Sequence, residues 1–144
     1  MEPSDMIKKY TFYFALCYGA AMLITGIIIS FFDLPGGTSV ACLVAAGFAA
    51  AMKFVQDQQR APEAAEKKQL IWGCLIASVA VSVLASMVSL IIFAETADFF
   101  SMLSTVPLWI WAIAILFTLL IHYFILALSF GWFARWNQKN MLKK

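Results

Sequence analysis

Four long runs of apolar residues, separated by short polar segments, organise the chain. They cover residues 10–32, 39–55, 70–94 and 108–133. Apolar and polar residues do not alternate within them, so each run is typical of a membrane-spanning helix and not of a barrel strand. At about 1.5 Å per residue they extend roughly 25 to 39 Å, against a hydrocarbon core of about 30 Å. The pattern predicts an all-α membrane protein: one transmembrane domain, residues 1–144, folded as a four-helix transmembrane bundle.

The connections between the runs set the expected helix bounds and directions. The segment 33–37 reads DLPGG, a tight turn that makes the first two helices antiparallel neighbours. Pro62 suits a first helical position, and Glu63 and Glu66 complement the positive end of a helix dipole, so the third helix is expected to start near Pro62. The bundle is therefore expected to run up-down-up-down, with helices at about 10–32, 39–55, 62–94 and 108–136.

The connection between the third and fourth runs is unusually apolar. It contains Phe99, Phe100, Met102 and Leu103 among small polar residues. This composition favours a short helix lying in the membrane interface, at about residues 96–105, over a plain loop. Two interpretations stay open, because such a segment can be a lid over the bundle or a surface that meets a partner or ligand.

Composition places the chain in lipid and excludes a nucleic-acid binder. Hydrophobic residues make up 63% and charged residues 12%, against roughly 45–50% and 25% in soluble domains. A globule of this size has too little interior to hide so much apolar surface from water. Ten basic and eight acidic residues leave a net charge of only +2, which argues against binding nucleic acid.

All basic residues fall on one side of the four predicted spans. The opposite side carries only Asp33, Glu95 and Asp98. Since basic residues in short loops favour the cytoplasm, both termini are expected to be cytoplasmic. Four of the basic residues follow the fourth run and are candidates for contact with anionic lipid headgroups. These four are Arg135, Lys139, Lys143 and Lys144.

The middle of the spans contains no Asp, Glu, Lys or Arg, so the candidate chemistry is limited. His122, the only histidine, and the serines Ser78, Ser82 and Ser86 are the main polar groups there. The imidazole is interpreted as a structural tether to a serine, as a proton-sensitive switch, or as lining a ligand or ion path. Neither a catalytic carboxylate pair nor metal-ligand spacing is present, so no catalytic residue, metal or cofactor is expected.

The segment 54–73 reads FVQDQQRAPEAAEKKQLIWG. It resembles a family of small, uncharacterised proteobacterial inner-membrane proteins of about this length, in which an Arg-x-Pro element followed by Glu and Lys residues precedes the third helix. The resemblance implies a four-helix, multi-pass protein of the bacterial inner membrane. It brings no established activity and no catalytic residues.

These features predict a non-enzymatic membrane protein that acts through protein–protein contacts. Such a protein is an accessory subunit, or an immunity-type protein that neutralises a membrane-directed toxin. Its partner is a membrane or periplasmic protein. Small residues repeated every fourth position, such as Ala41, Ala45 and Ala49, let helices approach closely and also allow a homo-oligomer. Candidate contact residues are Phe99, Phe100, Met102 and Leu103 outside and Arg60 and Glu63 inside. The alternative is a small oligomeric channel or transporter with His122 and the face formed by Ser78, Ser82 and Ser86 lining a path.

Overall fold

The described part of the chain is almost entirely helical. The computed structural model describes residues 3–32, 38–93 and 105–142. Four stretches are long and apolar enough to cross a membrane: Asp5–Ile29, Thr38–Gln58, Ala64–Val88 and Leu108–Met141. The hydrophobic pattern is thus confirmed at this level, as an all-helical chain with four long apolar helices compatible with a membrane bundle. The elements are α1 (Pro3–Phe32), α2 (Thr38–Gln58), α3 (Ala64–Phe93), α4 (Leu108–Leu128), a π-helical turn (Ser129–Phe133) and α5 (Ala134–Met141).

The connection between α2 and α3 is short and defined by its own hydrogen bonds. Helix α2 stops where Gln59 adopts a positive φ of 56°, a left-handed conformation that ends a helix. Helix α3 begins at Ala64, two residues after Pro62. At this start the Glu66 carboxylate accepts the backbone N–H of Glu63 at 3.0 Å. This is one half of a capping box, and it satisfies an N–H that the helix itself leaves free.

Helix α1 packs between α2 and α3, and α4 packs against the same two helices. The rings of Tyr10 and Phe54 lie 5.0 Å apart between centroids, and the Thr25 hydroxyl lies 3.1 Å from Sγ of Cys42. Residue numbers therefore rise along α1 while they fall along α2, so these two helices are antiparallel. The order around the bundle is α1, α2, α4, α3, which makes α1 and α3 parallel neighbours.

Three of the four helices, α1, α3 and α4, are packed tightly over only about half of their length. Among the side chains that the structure describes, the last fully buried ones are Tyr18 in α1 and Ser78 in α3, and the first in α4 is Leu126. Helix α2 is the most enclosed, because its buried residues extend from Cys42 to Val55, nearly its whole length. We call the region in which all four helices are packed, from the level of Tyr18, Ser78 and Leu126 to the α2–α3 connection, the packed half. The remaining length of α1, α3 and α4 is the open half. Large, fully buried side chains of the packed half are Tyr10, Phe14, Tyr18, Phe54, Val55, Leu70, Leu126 and Phe130.

Basic side chains from three helices lie at the end of the packed half that is farther from the open half. Lys9 of α1 and Lys53 of α2 both pair with Asp57, at 3.2 and 3.0 Å. A Cβ built on Gly131 would lie 2.6 Å from Nζ of Lys67, so the start of α3 lies against the end of the fourth span. We call this end of the bundle the basic end.

The fourth span is interrupted by the π-helical turn at Ser129–Phe133. A π turn inserts one extra residue into a helix and changes which side chains face a neighbour. Here Ser129, Phe130 and Gly131 are buried in succession, and the ring of Phe133 stacks on Phe48 of α2 at 4.2 Å between centroids. Ser129 also lies so close to Gly47 that a Cβ there would be 2.8 Å from its Oγ. These contacts pack the π-helical turn of the fourth span against α2.

Candidate functional site

A cleft of about 750 Å³ lies in the open half, between α1, α3 and α4. Its outer part is lined by Ser39 at the start of α2, Met87 of α3 and Trp111 of α4. Its inner part reaches Tyr18 and His122. The cleft thus begins at the helix ends opposite the basic end and extends to about the middle of the spans, a volume within the roughly 300–1,000 Å³ of ordinary ligand sites.

The packed half closes the inner end of the cleft. Tyr18, 1% exposed, belongs both to the lining and to the core. One turn further toward the basic end, Phe14, Ser78 and Leu126 are fully buried or nearly so. The cleft is therefore a half-depth opening with a closed floor, as far as the described residues define it.

Polar side chains are concentrated at the floor and the adjoining walls. The hydroxyls of Tyr18 and Ser82 form a hydrogen bond of 3.2 Å that joins α1 to α3. His122 places Nδ1 2.8 Å from the carbonyl oxygen of Thr118. Because a carbonyl oxygen only accepts, Nδ1 carries the hydrogen, and in the neutral ring Nε2 is left as an acceptor. The imidazole is held in one orientation by its own helix.

Two further hydroxyls, in the inner part of the cleft, also donate to their own helices. Ser86 donates to the carbonyl oxygen of Ser82 at 2.9 Å, and Thr118 donates to that of Ala114 at 2.8 Å. Each hydroxyl oxygen keeps lone pairs that can accept. In its inner part the cleft is left with several acceptors and one uncommitted O–H, that of the Tyr18–Ser82 pair, whereas the Ser39 hydroxyl and the Trp111 indole lie in its outer part. The free hydrogen-bonding capacity of the inner part is therefore biased toward accepting.

The structure brings together most, but not all, of the polar residues expected to act jointly. His122, Ser82 and Ser86 line the same cleft. Ser78 is fully buried in the packed half, and its hydroxyl donates to the carbonyl oxygen of Leu75 at 2.8 Å. The partner of Ser82 is Tyr18 of α1, while the recorded partner of His122 is the Thr118 carbonyl. Of the three serines, Ser78 thus belongs to the core, and Ser82 and Ser86 belong to the cleft.

A second polar site, at the basic end, is built around Asp57, and the sequence analysis did not single it out. The carboxylate accepts from Lys9 and from the Tyr10 hydroxyl, each at 3.2 Å, and pairs with Lys53. Gln58 in turn donates to the Tyr10 oxygen at 3.2 Å. We call these five residues the Asp57 cluster. The spacing of Lys53 and Asp57, four residues apart on one helix, was the available signal.

Of the two contact candidates in the α2–α3 connection, one is engaged and one is exposed. Arg60 donates two hydrogen bonds of 2.7 Å to the Glu66 carboxylate, a bidentate pair. This pairing raises the pKa of the Arg60 guanidinium above its usual range. The Glu63 side chain is 77% exposed. Arg60 therefore stabilises the connection, and Glu63 is the group available to a partner.

The remaining predicted contact residues divide between α5 and the chain outside the described residues. Arg135 and Lys139 are exposed on α5, where both are available to lipid headgroups. The predicted interfacial segment at about 96–105 lies outside the described residues except for residue 105, so the prediction for Phe99, Phe100, Met102 and Leu103 is not tested. Lys143 and Lys144 also lie outside them.

The thiols do not form a metal site in the part of the chain that the structure describes. Cys17, Cys42 and Cys74 are free cysteines, and no group of three His, Cys, Asp or Glu side chains able to hold a metal ion occurs among the described residues. Cys42 instead contacts Thr25, and Cys74 is fully buried in the packed half. These contacts assign Cys42 and Cys74 to helix packing.

Similarity to known proteins does not assign a role to the cleft. Comparison of the chain with models of protein families, with curated proteins and with solved structures found no match. The shape of the cleft and its hydrogen-bonding groups are therefore the basis for a functional proposal.

Proposed function

We propose that the chain is a non-enzymatic, multi-pass protein of the bacterial inner membrane that acts by binding another membrane protein. It serves as an accessory subunit or as an immunity-type protein against a membrane-directed toxin. The observation that carries this proposal is the half-depth cleft of the open half. A bundle that needed only to be stable in lipid would have no use for a preformed concave surface with polar groups at its floor.

Binding is favoured over catalysis by the surroundings of His122. A histidine that serves as a general base needs a hydrogen-bonding path to a nucleophile and a third group that orients it. Here Nδ1 of His122 donates to the Thr118 carbonyl, and Ser82 is paired with Tyr18. In the described residues no carboxylate lines the cleft.

Binding is also favoured over conduction, which is the second candidate function. His122, Ser82 and Ser86 share one cleft, as the channel or transporter interpretation requires. A conducting path, however, must cross the membrane, and this cleft ends on the packed half. Ser78, which should continue the polar path, is fully buried there. Conduction would need several copies of the chain to build a path between them.

The orientation follows from the basic end. Since basic residues favour the cytoplasmic side of a membrane, we place the basic end and both termini in the cytoplasm. The cleft then opens in the outer half of the bilayer, toward the periplasm. A partner reaches it laterally in the membrane or from the periplasmic side, while the exposed Glu63 and the lipid-facing α5 belong to the cytoplasmic surface.

Photocrosslinking at two adjacent positions of α3 tests this proposal. Val83 lines the cleft and is 52% exposed, whereas its neighbour Leu84 is 62% exposed and lies outside the cleft. We expect p-benzoylphenylalanine in place of Val83 to form one discrete protein adduct in native membranes, and the same group in place of Leu84 to label lipid. Only lipid adducts at both positions would contradict the proposal.

Flux measurements in liposomes separate the second candidate. We expect no ion flux above that of empty vesicles from the purified chain, because the cleft is closed at mid-depth. Flux that is present in the natural chain, disappears in His122→Ala and survives in Tyr123→Phe would favour the channel. Tyr123 is the matched control because it is adjacent on α4, 46% exposed and outside the cleft.

A further inference from the structure

The unused hydrogen-bonding groups of the cleft define the chemistry of its occupant. The hydroxyls of Ser86 and Thr118 and Nδ1 of His122 have all donated to carbonyl oxygens of their own helices. Acceptors remain on the two hydroxyl oxygens and on Nε2, with one O–H left by the Tyr18–Ser82 pair. An occupant suited to this inner part of the cleft therefore brings more donors than acceptors, with at least one acceptor for that O–H.

The depth of these groups distinguishes a helix from a lipid. Tyr18 lies in the middle of the candidate span Asp5–Ile29, so the floor lies near the middle of the membrane. A lipid that enters from the open half keeps its headgroup at the interface and would place an acyl chain against the polar floor. A transmembrane helix carries side chains at every depth and can bring donors to this level.

The walls of the cleft also suit a helix. Ser82 and Ser86 stand four residues apart on α3, and Ala114 and Thr118 stand four apart on α4. Small side chains at this spacing let another helix backbone approach closely, which is the main source of helix–helix attraction in lipid. The two walls therefore offer a surface complementary to a helix, with the polar groups at the end where that helix reaches mid-depth.

The donor is best supplied by a carboxamide. A serine or threonine on the incoming helix would spend its O–H on its own backbone, as Ser86 and Thr118 do here. An Asn or Gln side chain has two N–H donors and one carbonyl acceptor, which can serve two of the three free acceptors and the single O–H of the inner cleft. On the basis of the proposed function, we infer that the cleft binds one transmembrane helix of the partner, with an Asn or Gln side chain near the middle of the membrane.

A pair of synthetic peptides tests this inference without knowledge of the natural partner. The probes are leucine–alanine transmembrane helices with lysine flanks and a terminal dansyl group, one with Asn and one with the nearly isosteric Leu at its central position. Energy transfer from the tryptophans of the protein to the dansyl group reports association in phosphatidylethanolamine–phosphatidylglycerol vesicles at low peptide content. We expect the Asn peptide to associate about fivefold to thirtyfold more tightly than the Leu peptide, the range given by interhelical hydrogen bonds of roughly 1–2 kcal/mol.

Variants of the protein connect that preference to the cleft. His122→Phe removes the Nε2 acceptor, and Thr118→Val removes an oxygen while it keeps the side-chain shape. We expect either change to reduce the preference for the Asn peptide to about twofold or less, and Tyr123→Phe to leave it unchanged. Thr118→Val keeps the test decisive even if the histidine variant does not fold.

The remaining outcomes overturn the inference and are separable from failure of the proposed function. If the two peptides associate equally, or if both variants retain the preference for the Asn peptide, the cleft does not bind a carboxamide. Release of the Asn peptide by a hydroxylated lipid that co-purifies with the protein assigns the cleft to lipid. In each case a protein adduct at Val83 but not at Leu84 in native membranes leaves the proposed function standing, and its absence ends both.

Discussion

The packed half and the open half of the bundle differ in how the space between the helices is used. In the packed half, aromatic side chains such as Phe14 and Phe54 fill the space between helices, and the Asp57 cluster ties α1 to α2. In the open half, α1, α3 and α4 border the cleft, and the polar side chains of α3 and α4 hydrogen-bond mostly within their own helix. One half holds the fold together, while the other keeps a surface available.

The membrane explains how such a difference is stable. In water an exposed apolar cleft would be costly, but lipid chains are as apolar as leucine, so unpaired apolar surface carries little penalty. Stability can then come from close packing over part of the length. The polar groups of the open half avoid the cost of burial in hydrocarbon because own-helix carbonyls satisfy their donors. The comparison yields four predictions, ordered from the largest expected effect to the smallest.

Removal of a large ring from the packed half should have the largest effect. Phe54 is fully buried and packs against the ring of Tyr10. We expect Phe54→Ala to lower the free energy of unfolding by about 3 kcal/mol, because it leaves a cavity. Val83→Ala, in the cleft, should change it by less than about 0.5 kcal/mol. Unfolding in mixed micelles measures both, and similar losses for the two variants would mean that the halves are equally packed.

Glycine substitutions probe the same contrast through close contacts. A Cβ at Gly47 would lie 2.8 Å from Oγ of Ser129, whereas nothing lies within 4 Å of one at Gly19. We expect Gly47→Ala to destabilise the protein by about 1–3 kcal/mol, because the π turn must move away from α2. Gly19→Ala should be neutral or stabilising by up to about 1 kcal/mol through helix propensity. The contrast is wrong if Gly19→Ala is the more harmful change in thermal unfolding.

The Asp57 cluster should contribute less than the buried rings. Asp57→Asn removes the charge that pairs with Lys9 and Lys53. We expect a melting temperature lower by roughly 2–4 °C, an effect of about 1 kcal/mol in a chain of this size, and a smaller difference at high salt. Asp5→Asn is the control, since its carboxylate is 60% exposed and pairs with Lys8 within one helix. A lower melting temperature for Asp5→Asn than for Asp57→Asn would show that the cluster is not a tie between helices.

The smallest effect is expected at His122. Its Nδ1 bond lies within α4, and an interhelical bond in a membrane is itself worth only about 0.6 kcal/mol on average. We expect His122→Leu to leave insertion intact and the free energy of unfolding unchanged within about 0.6 kcal/mol. A loss of 2 kcal/mol or more in detergent would restore the structural-tether interpretation.

The sequence was sufficient for the helices and insufficient for the arrangement of the two halves. The apolar runs predict four long helices because lipid leaves no other partner for the backbone. Nothing in the hydrophobic pattern marks the π turn at Ser129–Phe133, because the apolar run continues through it. The close approach of Ser129 to Gly47 is a contact between helices distant in sequence, which the pattern of one segment does not contain.

For the candidate site, too, the residues could be predicted from the sequence but their arrangement could not. His122, Ser82 and Ser86 were identified because polar groups are rare in these spans, and that rarity is visible in the sequence. Their common cleft was not, because it depends on how α1, α3 and α4 pack against one another. Tyr18, which forms the floor with Ser82, is visible in the sequence only as a polar side chain in the cytoplasmic part of the first span. Its role appears once α1 and α3 are known to be parallel neighbours.

The reactivity of cysteines at two positions of α3 tests the difference between the halves most directly. Ser78 and Ser86 lie two turns apart, one in the core and one in the cleft. In a background without Cys17, Cys42 and Cys74, Ser86→Cys should react with the small lipid-soluble reagent dithiodipyridine at least about tenfold faster than Ser78→Cys, since the buried thiol must wait for local opening that costs about 1.4 kcal/mol or more. Equal rates at the two positions would contradict the account.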